Sequence, residues 1–317
     1  MKVFVAGATG ALGRQLIPRL VERGHEVTGM TRSEDKRDLI AGLGARPVVA
    51  DALDPDTVGQ AVSEAEPEAI IHQLTALSGD LDLRHIDRAF VATNRLRREG
   101  TDHLLSAARA VGARRFVAES FGGWPYAREG GPVKTEEDPL DPDPPQAMRE
   151  ILGAIRYLEA AVADAEPIEG IALRYGGFYG PGTSLGLDPV GEQVEAVRKR
   201  QFPIVGSGDG VLSFIHIEDA ATATVAALES ARPGVYNVVD DEPAPAREWL
   251  PALAEAVGAK PPRRFPRWVA RILAGEALTT MMTEARGGSN SKAKRELGWQ
   301  PRYASWRQGF ATGLTRE

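Results

Sequence analysis

The sequence VFVAGATGALGRQL, at residues 3–16, joins a short apolar run to a glycine-rich turn and then to an amphipathic repeat. Consecutive apolar residues are typical of a buried strand, and Leu12, Leu16 and Leu20 recur at the spacing of a helix face. Glycines between a strand and a helix permit a tight turn and let a pyrophosphate approach the backbone closely. The stretch therefore predicts a strand, a phosphate-binding turn and a helix at the start of the chain.

The predicted turn would place phosphates at the N-terminus of the helix, where free backbone N–H groups and the helix dipole favour anions. The alternative is a glycine turn with only a structural role, which the position between a strand and a helix disfavours. The residues predicted to bind the phosphates are Gly7, Thr9, Gly10, Ala11, Leu12 and Gly13.

The second predicted strand ends at Met30, and Thr31, Arg32 and Ser33 follow it. A site for NAD usually carries an acidic residue here, which hydrogen-bonds the ribose, and none is present. The Arg32 guanidinium can instead form bidentate, charge-assisted hydrogen bonds with a 2′-phosphate. The alternative is an ordinary surface arginine in a loop. On this ground we favour NADP(H) over NAD(H) as the cofactor.

Short apolar runs alternate with longer amphipathic stretches over the first two-thirds of the chain. The predicted strands lie at residues 3–6, 25–30, 47–50, 69–72, 115–119 and 171–173. Strands separated by helices form right-handed crossovers, which predict an α/β fold with a doubly wound parallel sheet. We expect residues 1–181, with returning segments near 210–240, to form a nucleotide-binding domain, and most of residues 182–317 to form a smaller substrate-binding lobe.

Residues 122–145 are rich in glycine, proline and acidic residues and have neither helical nor strand periodicity. A loop of this length in a compact domain is usually functional or disordered. It follows the fifth predicted strand, and open α/β sheets bind ligands beyond the carboxyl ends of their strands. We therefore expect this loop to lie at the site.

The composition excludes several kinds of site. The net charge of -6 gives no reason to expect nucleic acid, because phosphate binding needs concentrated positive charge. The chain has no cysteine, and its five histidines have no paired metal-ligand spacing, so no metal site is expected. No apolar run approaches the ~20 residues of a membrane span, and the N-terminus has no signal-peptide pattern, so a cytoplasmic location is expected.

A series of motifs resembles the extended short-chain dehydrogenases/reductases, or NAD-dependent epimerase/dehydratase family. Residues 7–13 are similar to that family's GxxGxxG loop, residues 51–54 (DALD) to its adenine-contacting segment, and residues 72–76 (HQLTA) to its fourth-strand motif beneath the cofactor. The resemblance implies a Rossmann domain with further cofactor-binding residues. These are Asp51, Ala52, Leu53, Leu74, Thr75, Ala76, Asn94 and Tyr175.

The resemblance extends over essentially the whole chain. Asn94 with residues 100–101 matches a helix motif, residues 119–120 match the strand end that carries the active-site serine or threonine, and Arg174 with residues 179–182 matches R-x4-YGPG. Residues 214–219 (FIHIED) and 297–301 (LGWQP) match two later motifs. The order of these motifs is that of the family, whose C-terminal lobe binds the substrate. The resemblance also implies a possible homodimer through a helix containing Ile151, Ile155 and Leu158, although these residues equally suit a buried helix face.

One expected motif is missing. Catalytic members of the family carry Tyr-x3-Lys, with a glutamate four residues after the lysine, and alignment on Glu159 places Ile151 and Ile155 at the tyrosine and lysine positions. None of the six tyrosines of the chain has a lysine four residues later. An isoleucine cannot transfer a proton, so the usual acid/base mechanism does not carry over to this chain.

The loop after the fifth predicted strand contains a candidate replacement. We hypothesise that Tyr126 donates or accepts a proton, with Ser120 hydrogen-bonded to the same substrate oxygen. The alternative is that Trp124 and Tyr126 only pack the loop onto the sheet, as aromatic residues usually do. Residues 182–186 fit the hydrolase pattern G-x-S-x-G, but they lie in a loop and not at a strand-to-helix elbow.

Three functions remain open on the sequence. The first is an NAD(P)-dependent oxidoreductase, or an epimerase- or dehydratase-like enzyme, that acts on a small metabolite or sugar derivative with unusual acid/base residues. The second is a non-redox sensor that keeps the dinucleotide as a ligand, and the third is a cyclase or lyase that reuses the pocket. The fold does not separate these, because function depends on the site.

Overall fold

The computed structural model of the chain describes residues 1–77 and 86–316, and its centre is a seven-stranded parallel sheet. The strands are β1 Lys2–Ala6, β2 Glu26–Thr31, β3 Arg46–Val49, β4 Ala69–His72, β5 Arg115–Phe121, β6 Val133–Lys134, β7 Glu169–Tyr175, β8 Gly177–Tyr179, β9 Ile204–Val205, β10 Val211–Leu212, β11 Phe214–His216, β12 Gly234–Val238, β13 Ala244–Pro245, β14 Arg264–Phe265 and β15 Gly287–Gly288. The order across the central sheet is β12-β7-β5-β4-β1-β2-β3, and every neighbouring pair is parallel. The predicted α/β fold with a doubly wound sheet is confirmed.

The helices cover both faces of this sheet and build the C-terminal part of the protein. They are α1 Ala11–Glu22, α2 Arg37–Gly42, α3 Pro55–Ala65, α4 Ile86–Ala89, α5 Val91–Arg95, α6 Thr101–Val111, α7 Arg149–Ala163, α8 Glu192–Arg198, α9 Ile217–Ser230, α10 Ala246–Ala256, α11 Arg267–Glu284, α12 Ser291–Leu297 and α13 Trp306–Thr312. A single π-helical turn, Leu96–Gly100, joins α5 to α6. Helix α11 is kinked at Gly275, which has a φ of +85°.

The two faces of the sheet have separate apolar cores. Residues of α1 and α9, such as Leu16 and Leu228, pack on one face, and residues of α3, α6 and α7, such as Val62 and Leu104, pack on the other. A strand covered on both faces buries every side chain, which explains why the strand sequences are continuously apolar rather than alternating. All six predicted strands are present within two residues of their expected bounds, and β12 adds a seventh beside β7.

The segment 122–145 is irregular for most of its length, with one difference from the prediction. Residues Val133–Lys134 form β6, which pairs in parallel with β15 far along the chain, and Tyr126 makes an isolated bridge with Leu140. Strand β15 is distant from β6 in the sequence, so no local period announces their pairing. Within the described ranges, no helix combines the length and apolarity that crossing a membrane requires.

Gly170 in β7 provides a test of the packing between α7 and the sheet. A Cβ at this position would collide with the Val162 carbonyl group, 2.8 Å from its carbon. We expect Gly170→Ala to lower the free energy of unfolding by about 1–3 kcal/mol, because overpacking forces the helix away from the strand. Chemical denaturation monitored by circular dichroism measures this.

Gly59 in α3 is the matched control, because a Cβ there would meet no atom within 4 Å. Gly59→Ala should raise the unfolding free energy by about 0.5–1 kcal/mol, since alanine loses less backbone entropy in a helix. Equal stability of Gly170→Ala and wild type would contradict the close packing of α7 on β7.

Candidate active site at the carboxyl end of the sheet

The loop between β1 and α1 is shaped by contacts that only glycine permits. Gly7 has a φ of +97°, and a Cβ there would collide with the Gln73 carbonyl group, 2.8 Å from its carbon. A Cβ on Gly13 would lie 2.6 Å from the Ala8 carbonyl oxygen. These two positions hold the strand, the loop and the helix in close contact.

Gly10 differs, because the surrounding protein does not explain its missing side chain. Gly10 is exposed, and a Cβ on it would come no closer than 3.4 Å to the Gly7 carbonyl oxygen. It precedes α1, whose first turn has neither a side-chain cap nor an acidic residue. The N–H groups of that turn are therefore available to an anion, and the loop fits a dinucleotide phosphate.

The other predicted loop residues lie beside Gly10. Thr9 and Ala11 are half-buried, while the side chain of Leu12 packs into the core. Leu12 can thus offer only its backbone to a ligand.

Arg32 lies directly after β2 and is exposed. Its guanidinium has no hydrogen bond or ion pair with any residue in the ranges 1–77 and 86–316. By contrast Arg37, one turn further on, is paired with Glu34 at 3.4 Å. Arg32 is therefore free to contact a ligand bound beside the end of β2.

The turn after β3 contains Asp51, Ala52 and Leu53. Asp51 is exposed, and its carboxylate accepts a hydrogen bond from the Leu53 N–H at 3.0 Å. Ala52 is buried, and its carbonyl oxygen is 2.9 Å from Nδ1 of His103. This turn places Asp51 at the surface beside the end of β3.

The segment after β4 is held by hydrogen bonds to the end of β4 and to α5. The Leu74 N–H donates to Nδ1 of His72 at 3.2 Å, and the Ala76 N–H donates to Oγ1 of Thr93 at 3.0 Å. Thr75 between them is exposed. Residues Leu74, Thr75 and Ala76 thus lie along the carboxyl end of the sheet, next to the glycine loop.

Tyr175, which the resemblance places at the cofactor, has its side chain inside the core. Its hydroxyl accepts a hydrogen bond from Nε2 of Gln73 at 3.2 Å and lies 2.7 Å from Oγ1 of Thr224. Burial raises the pKa of Tyr175, so the hydroxyl stays protonated. Since Gln73 also contacts Gly7, the Tyr175 side chain supports the glycine loop from below.

Ser120 at the end of β5 belongs to a buried polar group. Its hydroxyl donates to Oε1 of Glu159 at 2.6 Å, and both oxygens of that carboxylate accept hydrogen bonds from Arg174 at 2.7 Å. The bidentate ion pair joins α7 to β7 beneath the predicted site. The Ser120 hydroxyl is thus committed to Glu159, which sequence reasoning used only to align the helix.

Tyr126 extends the same group. Its hydroxyl donates to Oδ1 of Asn237 and accepts from Nη1 of Arg174 at 3.1 Å, and its side chain is fully buried. Burial raises the pKa of Tyr126, which disfavours its ionised form. These contacts favour the packing alternative, and proton transfer by Tyr126 stays a prediction.

Ile151 and Ile155, which the alignment on Glu159 predicts at the tyrosine and lysine positions, lie in an apolar cluster. Ile151 and Ile155 are both fully buried and pack with Phe121 and Trp124, whose rings meet edge to face with centroids 5.7 Å apart. Leu158 is also buried within the protomer, so none of these three helix residues is available for the possible dimer contact. Tyr157, on the same helix, is exposed and hydrogen-bonded to Asp102, away from the cluster.

A second buried charge pair, which sequence reasoning missed, lies at the same end of the sheet. Arg97 in the π-helical turn donates to Oε1 of Glu119 at 2.6 Å. Asn94, one turn earlier, is buried, and its Oδ1 has no hydrogen-bond partner among the described residues. An acidic residue near the end of a buried strand indicates that a basic partner must exist. It does not indicate which lysine or arginine is that partner.

A family model for the NAD dependent epimerase/dehydratase family matches residues 3–239. The chain belongs to this family. The match covers the central sheet and each of the residues described above, so the extended short-chain dehydrogenase/reductase resemblance is confirmed.

Relatives of known function are similar over most of the chain. A "3-diazoavenalumate denitrifying reductase" of a Streptomyces species is 45% identical over 311 residues, which cover 98% of this chain and 99% of the relative. A "2-alkyl-3-oxoalkanoate reductase" of Stenotrophomonas maltophilia is 31% identical over 82% of this chain and 76% of its own length. The structure of a Thermus thermophilus UDP-glucose 4-epimerase in complex with NAD superposes with a TM-score of 0.72 at 26% identity, covering 99% and 98% of the two chains.

The family membership and these relatives establish the general activity. The protein is an NAD(P)-dependent oxidoreductase or epimerase-like enzyme, and its relatives are named for small-molecule substrates. Within this epimerase/dehydratase family, the glycine loop and the turn after β3 lie where the motifs predict.

His72, at the end of β4, provides a test of the buried polar end of the sheet. Burial lowers its pKa to about 4. As the pH falls from 6.5 to 4, the unfolded chain binds a proton that folded His72 excludes, so the folded state loses stability, and the loss is complete below the folded pKa. The neutral ring accepts from Leu74 and donates from Nε2 to Thr101, 3.1 Å away.

Between pH 6.5 and 4, we expect the unfolding free energy of His72→Gln to fall by up to about 3 kcal/mol less than that of wild type. The reason is that one pKa unit corresponds to about 1.4 kcal/mol. Urea unfolding at several pH values measures the slope of the unfolding free energy against pH. His103→Gln is the control, because His103 is a half-buried histidine. An unchanged slope in His72→Gln would show that His72 is not held neutral.

Proposed function

We propose that this protein is an NADP(H)-dependent reductase that transfers a hydride to the diazonium-bearing carbon of an aromatic carboxylate and releases dinitrogen. The observation that carries this proposal is the burial of Ile151 and Ile155 at the positions of the family's acid/base pair. A reaction in this site must proceed without a tyrosine–lysine pair.

A diazonium group meets this requirement. When bound, the reduced nicotinamide supplies a hydride, that is, one hydrogen with two electrons. The substrate is an arenediazonium cation. The hydride forms a new C–H bond at the ring carbon that bears N2, and the C–N bond breaks with its electron pair leaving on N2, which gives the neutral arene and dinitrogen. Atoms and charge balance with no proton taken up, so no general acid is needed. A ketone, in contrast, needs a proton on its oxygen.

The side chains of the cluster suit such a substrate. Phe121 and Trp124 are partly exposed and offer apolar ring surfaces at the end of β5. Ile155 brings no positive charge to the place where the family's lysine would repel a diazonium cation. The identity of 45% with a reductase named for a diazo carboxylate and for the loss of nitrogen supports the same substrate class.

The residues proposed to hold the cofactor are those of the crevice. The first turn of α1, with Gly10, would bind the pyrophosphate, Arg32 the 2′-phosphate, and Asp51 the adenine. The C-terminal residues from 182 onward would complete the substrate site. Epimerisation of a nucleotide sugar, as the names of other relatives suggest, is less well supported, because it must remove and return a hydroxyl proton.

Arg32→Ala tests the choice of cofactor. We expect its affinity for NADP+ to fall roughly 10- to 100-fold, because a charge-assisted hydrogen bond contributes about 1.5–3 kcal/mol. Its affinity for NAD+ should not change. Isothermal titration calorimetry with both dinucleotides measures this.

Arg37→Ala is the matched control for the loss of a nearby exposed guanidinium. A wild-type protein that binds NAD+ as tightly as NADP+, or an equal loss for both dinucleotides in Arg32→Ala, would contradict the role of Arg32.

The reaction itself is tested with a carboxylated benzenediazonium salt and NADPH. We expect equimolar NADPH oxidation and dinitrogen release, and deuterium from the transferred position of labelled NADPH in the arene product. Since no proton is transferred, kcat should not vary over the neutral pH range. Headspace mass spectrometry and NMR measure the products.

Tyr126→Phe separates this mechanism from acid catalysis. We expect it to turn over the diazonium salt within about twofold of wild type, whereas loss of a general acid would lower turnover roughly 10²–10⁴-fold. A large loss would support Tyr126 as the proton donor and refute the proton-free route. Tight NADPH binding without any reduction would instead favour a sensor.

A further inference from the structure

The ion pair between Arg97 and Glu119 is buried, although it lies at the end of the sheet. Arg97 is 2% exposed and Glu119 is 7% exposed. Charges are rarely buried unless their hydrogen-bonding groups are satisfied, because their removal from water is costly. The surroundings of this pair therefore need an explanation.

Glu119 lies in line with the glycine loop. In the sheet, Ala6 pairs with His72 and His72 pairs with Ala118, so Gly7, Gln73 and Glu119 follow at one level across β1, β4 and β5. Neighbouring strands are about 4.8 Å apart, which places Glu119 roughly 10 Å from the phosphate-binding loop along the crevice. A dinucleotide that starts on the glycine loop extends across these strands.

Arg97 reaches Glu119 across the end of β4. One turn before it, Thr93 accepts a hydrogen bond from Ala76 N–H, and one turn after it, Thr101 is 3.1 Å from Nε2 of His72. The Thr101 hydroxyl also donates to the Arg97 carbonyl oxygen at 2.8 Å. Helix contacts on both sides thus hold the guanidinium over the carboxyl end of β4. The π-helical turn that carries it is a feature often found at functional sites.

Four polar atoms in this group have no partner among the residues that the structure describes. They are two donors, Nε and Nη1 of Arg97, and two acceptors, Oε2 of Glu119 and Oδ1 of Asn94. Buried donors and acceptors are almost always paired, and an unpaired one is costly. Together they match a ligand group with two donors and two acceptors, such as a vicinal diol.

We infer that Arg97, Glu119 and Asn94 bind the ribose hydroxyls on the nicotinamide side of the dinucleotide. The family resemblance implies that the lysine of Tyr-x3-Lys holds this ribose in catalytic members, and Ile155 stands at the aligned position here. The Arg97–Glu119 pair takes over the anchoring function. This inference rests on the proposed function, because it requires that the crevice binds the dinucleotide.

Calorimetric titration with two ligands tests the inference. NADP+ contains the second ribose, whereas 2′-phosphorylated ADP contains only the adenosine half. We expect Glu119→Gln to weaken NADP+ binding about tenfold or more and to leave 2′-phosphorylated ADP binding unchanged. The double variant Arg97→Gln with Glu119→Gln removes both charges and leaves no unpaired charge buried. It is the test variant if Glu119→Gln alone does not fold.

Arg98→Gln is the matched control, because Arg98 is a neighbouring arginine whose ion pair with Glu150 is exposed. Thermal melting confirms that each variant is folded. Unchanged NADP+ affinity in both pair variants overturns this inference and leaves the proposed function standing. An equal loss of affinity for NADP+ and for 2′-phosphorylated ADP also overturns the inference, since it would show that the ion pair has only a structural role. A wild-type protein that binds neither ligand overturns the inference and the proposed function together.

Discussion

The contact between Gly7 and the carbonyl group of Gln73 is the constraint on which the site depends. It brings the backbone of β1 against the end of β4 at a place that no side chain can occupy. The Gln73 side chain then donates to the Tyr175 hydroxyl, which in turn lies 2.7 Å from Oγ1 of Thr224. A close backbone contact and three buried hydrogen-bonding groups thus fix the height of the glycine loop above the strands.

The carboxyl end of the sheet holds two buried ion pairs with different surroundings. Arg174 and Glu159 are bound to each other and to Ser120 and Tyr126, so this group joins α7, β5 and β7 into one unit. Arg97 and Glu119 share one hydrogen bond, and Nε and Nη1 of Arg97 and Oε2 of Glu119 have no partner within the described part of the chain. A fully satisfied network stabilises the structure, whereas one with free donors and acceptors is suited to a ligand.

The apolar cluster around Ile151 and Ile155 changes the chemistry that the fold can support. In this family the same helix positions usually supply and orient a proton, and here they supply apolar surface. The hydride belongs to the cofactor in either case, so under the proposed function the protein selects a substrate that needs no proton. An electrophile that is already cationic needs none, which is why loss of the acid/base pair is compatible with retention of the glycine loop.

The sequence alone determined the strand–turn–helix at the start of the chain, six of the sheet strands and the absence of a Tyr-x3-Lys pair. These features are local, because periodicity, glycines and spacing are visible within a few residues. The tertiary structure decided the surroundings of Tyr126, which bonds Asn237 at a separation of 111 residues, and the pairing of Arg97 with Glu119. Such pairs depend on how helices cross the end of the sheet, and the chain has 38 lysines and arginines from which a partner for Glu119 could come.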